Sequence, residues 1–347
     1  MVVKKAIIVG GGIAGPATAL ALSKSGITCT IYELREGAAT IGGAINLTPN
    51  ALRALDHFNL LETAMTLGCP CEEIEIFSVL TGRKLGDLPF GSVQHHGYSS
   101  LRICRTDLQE MMLSAVVKAG IEVQYNKKLI RVEEQGDSIT AVFEDGTSDS
   151  ADILLGCDGI HSAVRTQFVE QSRCRTYTGV SSAYGIISSS SITEPIHFSA
   201  TALNTSCNGS LLTSYCNSTK TRIYVAAVME VSEQHDQDGW RARGKVAEDT
   251  RNDLLRRFES AKLPSVMQMA NAIDDLYFYP IFTLDNAGVW SRGRALLIGD
   301  AAHAVSNSSF TFLPVQITNQ LADASWWSWC RSRFGGRRAS CTSLGTQ

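Results

Sequence analysis

The sequence has no run of about 18 apolar residues, so no membrane-spanning helix is expected. It has no C-x-x-C pair and no histidine clustered with its ten cysteines. The closest spacing, Cys69-Pro70-Cys71, does not fit a zinc knuckle, and the adjacent His95-His96 lacks a third ligand, so no metal site is expected. Scattered thiols of this kind read as free cysteines in a reducing compartment. There is also no broad basic field: the net charge is −3, the pI is about 6.2, and Lys127-Lys128 and Arg337-Arg338 are only short pairs. That excludes nucleic-acid binding through a cationic surface. The apolar start is too short for a secretory signal. A cytoplasmic location is the expectation.

What is present is a chain of 347 residues, 44% hydrophobic and 19% charged, the composition of a globular protein of one large or two interleaved domains. Its organising stretch is the first 33 residues. The uncharged apolar run Ala6-Ile7-Ile8-Val9 is long enough for one buried strand, and Gly10-Gly11-Gly12-Ile13-Ala14-Gly15 follows at once with G-x-G-x-x-G. Pro16 to Leu22 reads as a helix start, with Pro16 in the first turn. A second β-like run, Thr28 to Tyr32, ends at Glu33. This is one β-α-β unit of dinucleotide-binding length. Gly10 permits the tight turn, Gly12 lets backbone approach a pyrophosphate, and Gly15 lets the helix pack on the sheet. The helix N-terminus offers free N–H groups to phosphate. Glu33 can accept from a ribose diol and would repel a 2′-phosphate, so the expected ligand is the ADP half of FAD or NAD.

Further along, the glycines of Ile41-Gly42-Gly43-Ala44 mark a loop, and Pro49-Asn50 opens an amphipathic helix. Arg105-Thr106-Asp107 precedes a helical stretch, Leu108 to Ala119. Asp152 to Asp158-Gly159 is a buried strand running into a turn, with helix expected over Ile160 to Arg165. Residues 170–235 turn Ser- and Thr-rich with short β-like runs, the texture of an antiparallel sheet. Residues 236–262 read as charged and helical. Arg294 to His303 is again strand, glycine, acid and helix start, at Gly299-Asp300.

These three strand-to-acid sites, in this order and spacing over about residues 4 to 304, resemble the class A flavoprotein monooxygenases of the p-hydroxybenzoate and salicylate hydroxylase type. The resemblance implies an α/β fold: a glutathione-reductase-type FAD-binding domain interleaved with an antiparallel-sheet substrate domain. The boundaries expected are 1–70, 98–169 and 278–324 for the FAD-binding domain, 71–97 and 170–277 for the substrate domain, and 325–347 for an irregular tail. It implies FAD contacts at Gly10, Gly12, Ala14, Gly15, Glu33, Arg35, Gly43, Ala44, Arg105, Asp158, Gly299 and Asp300. Asp158 is expected near both the FAD pyrophosphate and the nicotinamide nucleotide, Asp300 on the ribityl chain, and Arg105 on the si-side of FAD. It also implies a reaction: NAD(P)H reduces FAD, O₂ adds at flavin C4a, and the resulting hydroperoxide hydroxylates a small phenolic aromatic. Tyr215 resembles a tyrosine that some relatives place over the substrate, and is the candidate catalytic side chain. Tyr184-Gly185 lacks the arginine of the family's Tyr-Arg-Gly.

After His303 the sequence departs from the family pattern. Val315 and Ile317 stand where glycines would face the flavin, and a β-branched residue neither takes a positive φ nor allows the same close approach. An exposed ring and release of H₂O₂ are expected from this. Two other readings stay open on the sequence: a truncated, non-catalytic flavin-binding protein, and a flavin oxidase or dehydrogenase on the same fold.

Overall fold

Lys5–Val9 is the central strand of a six-stranded sheet, paired in parallel with Thr28–Tyr32 on one side and Ile153–Gly156 on the other. The computed structural model describes residues 2–38, 42–233, 247–285 and 287–304. Glu122–Gln124 and Ala295–Leu297 extend the sheet in parallel, and the short Ser291–Arg292 closes one edge in the antiparallel sense. A parallel sheet covered on both faces requires near-continuous apolar strands, which is why Ile7 and Ile8 are both fully buried though they point to opposite sides. Ile8 packs with Ala19, Leu22 and Val116 of helices Ala14–Lys24 and Arg105–Lys118. Ile7 packs with Val132, Ile139 and Phe143 of a three-stranded antiparallel layer formed by Leu129–Gln135, Ser138–Phe143 and Ser148–Ala151. Burying side chains of this size contributes about 1.5–3 kcal/mol each as an upper figure.

The second large sheet has seven strands, in the order Tyr277–Leu284, Arg175–Ser188, Arg222–Glu230, Gly209–Tyr215, Thr201–Ser206, Glu73–Ser78 and Lys84–Pro89. Two findings refine the expected antiparallel sheet. Glu73–Ser78 runs parallel to Thr201–Ser206. Tyr277–Leu284, assigned to the FAD-binding domain from residue 278 on, is instead the edge strand of this sheet, paired with Arg175–Ser188. One face carries Ala183, Val225 and Ala227 and is covered by helices Ala247–Phe258 and Pro264–Asn271.

A small antiparallel sheet joins the two halves: Ala44–Leu47, Ser100–Cys104 and Cys69–Cys71. Its strands alternate in the usual period of two. Leu47, Leu101 and Ile103 pack towards the helices, while Ala44 and Cys104 pack on Tyr224 and Ala226 of the seven-stranded sheet. The loop expected around His95-His96 contains a single helical turn, Val93–His96. Among the described residues no helix is long and apolar enough to cross a membrane. Residues 315 and 317 and the 325–347 segment lie outside the described residues, as do 236–246 of the expected charged helix.

Candidate active site

The glycine loop has little spare space on the protein side. A Cβ on Gly10 (φ +109°) would lie 2.4 Å from the Cys157 carbonyl oxygen, and one on Gly15 would lie 1.9 Å from the Gly10 carbonyl oxygen. Strand end, helix start and the Cys157-Asp158 backbone are therefore in direct contact. On Gly12 a Cβ would meet nothing within 4 Å among the described residues, so the space over the helix N-terminus is open. Open space at a helix N-terminus, with no acidic residue in the first helical turn, fits a pyrophosphate. Ala14 is buried in that first turn.

Glu33 accepts from the Gly11 N–H at 2.6 Å and from the Arg35 N–H at 3.0 Å. Its carboxylate is thus fixed at the lip of the loop. Each oxygen has a second lone pair free for a ribose hydroxyl. Arg35 contributes this backbone bond, and its side chain is exposed. Gln109, which sequence reasoning missed, donates its side-chain amide to the Gly11 carbonyl at 2.7 Å. Its position one turn after Arg105, on the same helix face, was the available signal.

Asp158 caps the following turn. One carboxylate oxygen accepts from the Ala163 and Val164 N–H groups at 2.7 and 3.1 Å. The other is buried with no partner among the described residues, and burial raises the carboxyl above its usual range. An unpartnered oxygen beside Gly10 fits a hydroxyl or N–H brought by a nucleotide. The helix expected over Ile160 to Arg165 starts later, and Arg165–Val169 forms a wide helical turn. Arg165, also missed, is buried and donates to the Ala301 carbonyl at 2.8 Å and the Ile160 carbonyl at 2.5 Å. It ties the Asp158 turn to the Gly299-Asp300 turn. Gly299 has φ +66°, a backbone that glycine alone takes without strain. Asp300 starts the short helix Asp300–His303 and is half-buried.

The Arg105 N–H donates to the Gly43 carbonyl at 2.9 Å, and the Arg105 side chain lies over Gly42. Ala44 is buried beside Cys104 and Tyr224. A Cβ on Gly43 would lie 2.7 Å from the Tyr224 ring, so this glycine lets the two halves of the molecule meet. The Tyr184 ring stands 5.9 Å from that of Tyr224 and 5.6 Å from that of Tyr277, stacked on the latter. Burial raises the Tyr184 phenol, opposed by the nearby Arg105 charge, and burial also raises the Tyr224 phenol. Both are neutral hydroxyls near neutral pH.

Tyr215 is not part of this group. It pairs with Ile223 on the neighbouring strand, and its ring packs at 5.4 Å on Phe198, on the opposite sheet face from Tyr184 and Tyr224. Side chains alternate along a strand, and residue 214 rather than 215 shares the Tyr224 face. A role for Tyr215 over the substrate is not supported by this placement. Arg102 and Asn46, opposite each other in the small sheet, do face this region. Both are buried, and burial lowers the Arg102 pKa.

The comparisons agree with this geometry. The profile described as the FAD binding domain matches residues 4–309. A 3-amino-4-hydroxybenzoate 2-monooxygenase of Streptomyces platensis is 30% identical over 298 residues, 85% of this chain and 72% of that protein. A 6-hydroxynicotinate 3-monooxygenase of Bordetella bronchiseptica is 25% identical over 298 residues, 85% of this chain and 75% of that protein. Among solved structures, Klebsiella pneumoniae HpxO bound to FAD and uric acid superposes with a TM-score of 0.74 at 25% identity, over 91% of this chain and 76% of that one. Glycine loop, paired acids and profile thus converge, and the chain belongs to the class A flavoprotein monooxygenases, the FAD-dependent aromatic hydroxylases.

Proposed function

We propose that this chain hydroxylates a small aromatic substrate bound between the small sheet and the seven-stranded sheet, using NAD(P)H and O₂. The observation that carries this is the joint cluster of Ala44, Cys104, Tyr184 and Tyr224. In it the strands next to Gly43 and Arg105 pack on the face of the second sheet opposite the two helices. FAD, when bound, takes electrons from NAD(P)H and activates O₂ for transfer of one oxygen atom to the ring.

The residues of the chain hold and shape the reactants. The Gly10–Gly15 loop and Glu33 hold the adenosine diphosphate part. Asp158 and Asp300, fastened to one another through Arg165, hold the pyrophosphate side and the ribityl chain. Arg105 supplies positive charge at the junction. Tyr184 and Tyr224 flank the proposed substrate position and offer neutral hydroxyls that can orient a phenol, and their packing limits water. The test is incubation of the FAD-loaded protein with NADH or NADPH, ¹⁸O₂ and a panel of hydroxylated benzoates and pyridine carboxylates. One labelled oxygen in a ring-hydroxylated product is the expected result. FAD retention with no product from any aromatic would refute it.

Val315 and Ile317 favour a second reading, an enzyme that oxidises NAD(P)H and releases mostly H₂O₂. The ratio of peroxide to hydroxylated product in the same assay separates the two.

A further inference from the structure

Arg102 is 1% exposed, and its Nε and Nη2 have no hydrogen-bond partner among the described residues. These two nitrogens form the side edge of the guanidinium, the fork that takes a carboxylate through two parallel bonds. Directly opposite on the neighbouring strand, Asn46 is fully buried, and neither its amide nitrogen nor its amide oxygen has a partner among the described residues. Directly opposed residues of an antiparallel pair project from the same face. Two adjacent buried polar side chains with no partner among the described residues are unusual, because such groups are ordinarily satisfied. A buried guanidinium without a counter-charge is more costly still.

The other buried arginines also leave nitrogens without a partner among the described residues, Nε of Arg165 and Nε and Nη1 of Arg173, but each of them is anchored by protein groups. Arg165 donates to two carbonyls, and Arg173 bonds the Asp285 carbonyl and faces Glu170. Arg222, which the seven-stranded sheet places on the Tyr224 face, is paired with Asp107 at 3.0 Å. Around Arg102 stand neutral groups: the Tyr224 ring, with its centroid 5.9 Å away, and the thiols of Cys69, Cys71 and Cys216. Tyr224 in turn touches Gly43 and neighbours Tyr184. The unsatisfied cation therefore lies across one aromatic ring from the candidate reaction region.

We infer that Arg102 and Asn46 form an anion subsite that takes the carboxylate of an aromatic acid, with Arg102 donating through Nε and Nη2 and Asn46 through its amide nitrogen. This rests on the hydroxylase reading and narrows its substrate class to aromatic acids. The cation comes from the small sheet, whereas Tyr184 is followed directly by Gly185 in the substrate-side sheet.

The test is direct binding to the FAD-loaded protein by calorimetry, using benzoate, 3-hydroxybenzoate and 6-hydroxynicotinate beside their carboxamides. The parent is expected to bind at least one acid about 30-fold more tightly than its amide, the scale of a bidentate charge-assisted pair. Arg102→Met should lose that preference while binding the amide as the parent does, and Asn46→Leu should lose part of it. Removal of an uncompensated buried charge should leave Arg102→Met folded, with a melting temperature at or above that of the ligand-free parent. Should Arg102→Met fail to hold FAD, Arg102→Lys serves instead, with a weakened acid preference expected because a point charge replaces the fork. Equal binding of acid and amide by the parent, no acid binding at all, or an unchanged preference in the variants would overturn the subsite. Arg102-dependent acid binding without any hydroxylation would instead overturn the hydroxylase reading and leave the subsite standing. Hydroxylation of an aromatic acid by Arg102→Met with the same kcat/KM as the parent would do the reverse.

Discussion

The side-chain amide of Gln109 donates to the carbonyl of Gly11 at 2.7 Å, from a helix 98 residues further along the chain. It fixes the orientation of the peptide preceding Gly12, and with it the N–H groups offered to the pyrophosphate. Gln109→Leu is expected to leave the fold intact and to weaken FAD binding about tenfold, the cost of one buried hydrogen bond that orients a binding loop. Fluorescence titration of the stripped protein with FAD measures it. Unchanged affinity would show that the loop is rigid without the tie.

Glu33 is held by two N–H donors before any ribose arrives. Glu33→Ala should therefore weaken FAD by about 1–3 kcal/mol, through loss of the ribose acceptor and of the anchor on Gly11. Gel filtration followed by the visible spectrum gives FAD retention. A variant that retains FAD like the parent excludes Glu33 as the ribose ligand.

Gly12 and Gly15 differ in what a methyl group would meet. Gly12→Ala places a Cβ in open space, so the ligand-free fold should lose no more than about 0.5 kcal/mol while FAD binding drops. Gly15→Ala would press on the Gly10 carbonyl and should destabilise the protein itself. Thermal melts with and without FAD distinguish a site effect at Gly12 from a packing effect at Gly15. Equal melting of the two ligand-free variants would contradict this division.

These contrasts show what the sequence made legible. The glycine loop was readable because its constraints are local: strand, turn and helix adjoin, and each glycine answers a steric demand within a few residues. The acids at 33, 158 and 300 were readable because each ends a buried apolar strand. Arg102 and Asn46 were not, because their opposition depends on strand register between distant segments, as does the Arg165 contact to Ala301. The sheet face of Tyr215 was not readable either, since one step along a strand reverses the face. The edge strand Tyr277–Leu284 could not be assigned to its sheet from its own residues, which suit either half.

Asp158 provides a pH-dependent prediction. Burial raises its folded pKa above the unfolded value, so the stability linked to this group is present below the unfolded pKa and is lost as pH rises through the folded one. Asp158→Asn keeps an oxygen acceptor for the Ala163 and Val164 N–H groups and removes the charge. The ligand-free variant should melt higher than the parent at about pH 8, with the difference shrinking towards about pH 4, near the ordinary carboxyl value. Melting curves over that range test it. A difference that grows as pH falls would reverse the sign and place a favourable ion pair at Asp158.

Tyr224 and Tyr215 stand on adjacent strands of one sheet yet project to opposite sides. The Tyr224 ring adjoins Gly43, Tyr184 and Arg102, whereas the Tyr215 ring lies against Phe198 with Lys220 over it. Removing a hydroxyl that orients a substrate oxygen costs about 0.5–1.5 kcal/mol, or up to roughly tenfold in kcat/KM. Tyr224→Phe should therefore lower kcat/KM for the best substrate of the aromatic panel by up to about tenfold, while FAD content and melting temperature stay near those of the parent. Tyr215→Phe should change kcat/KM by less than about twofold, because its hydroxyl does not face the region between the sheets. Steady-state kinetics on both variants with the same FAD loading decide the point. Loss of turnover in Tyr215→Phe with Tyr224→Phe unaffected would move the substrate to the other face of the sheet, against the helices Ala247–Phe258 and Pro264–Asn271.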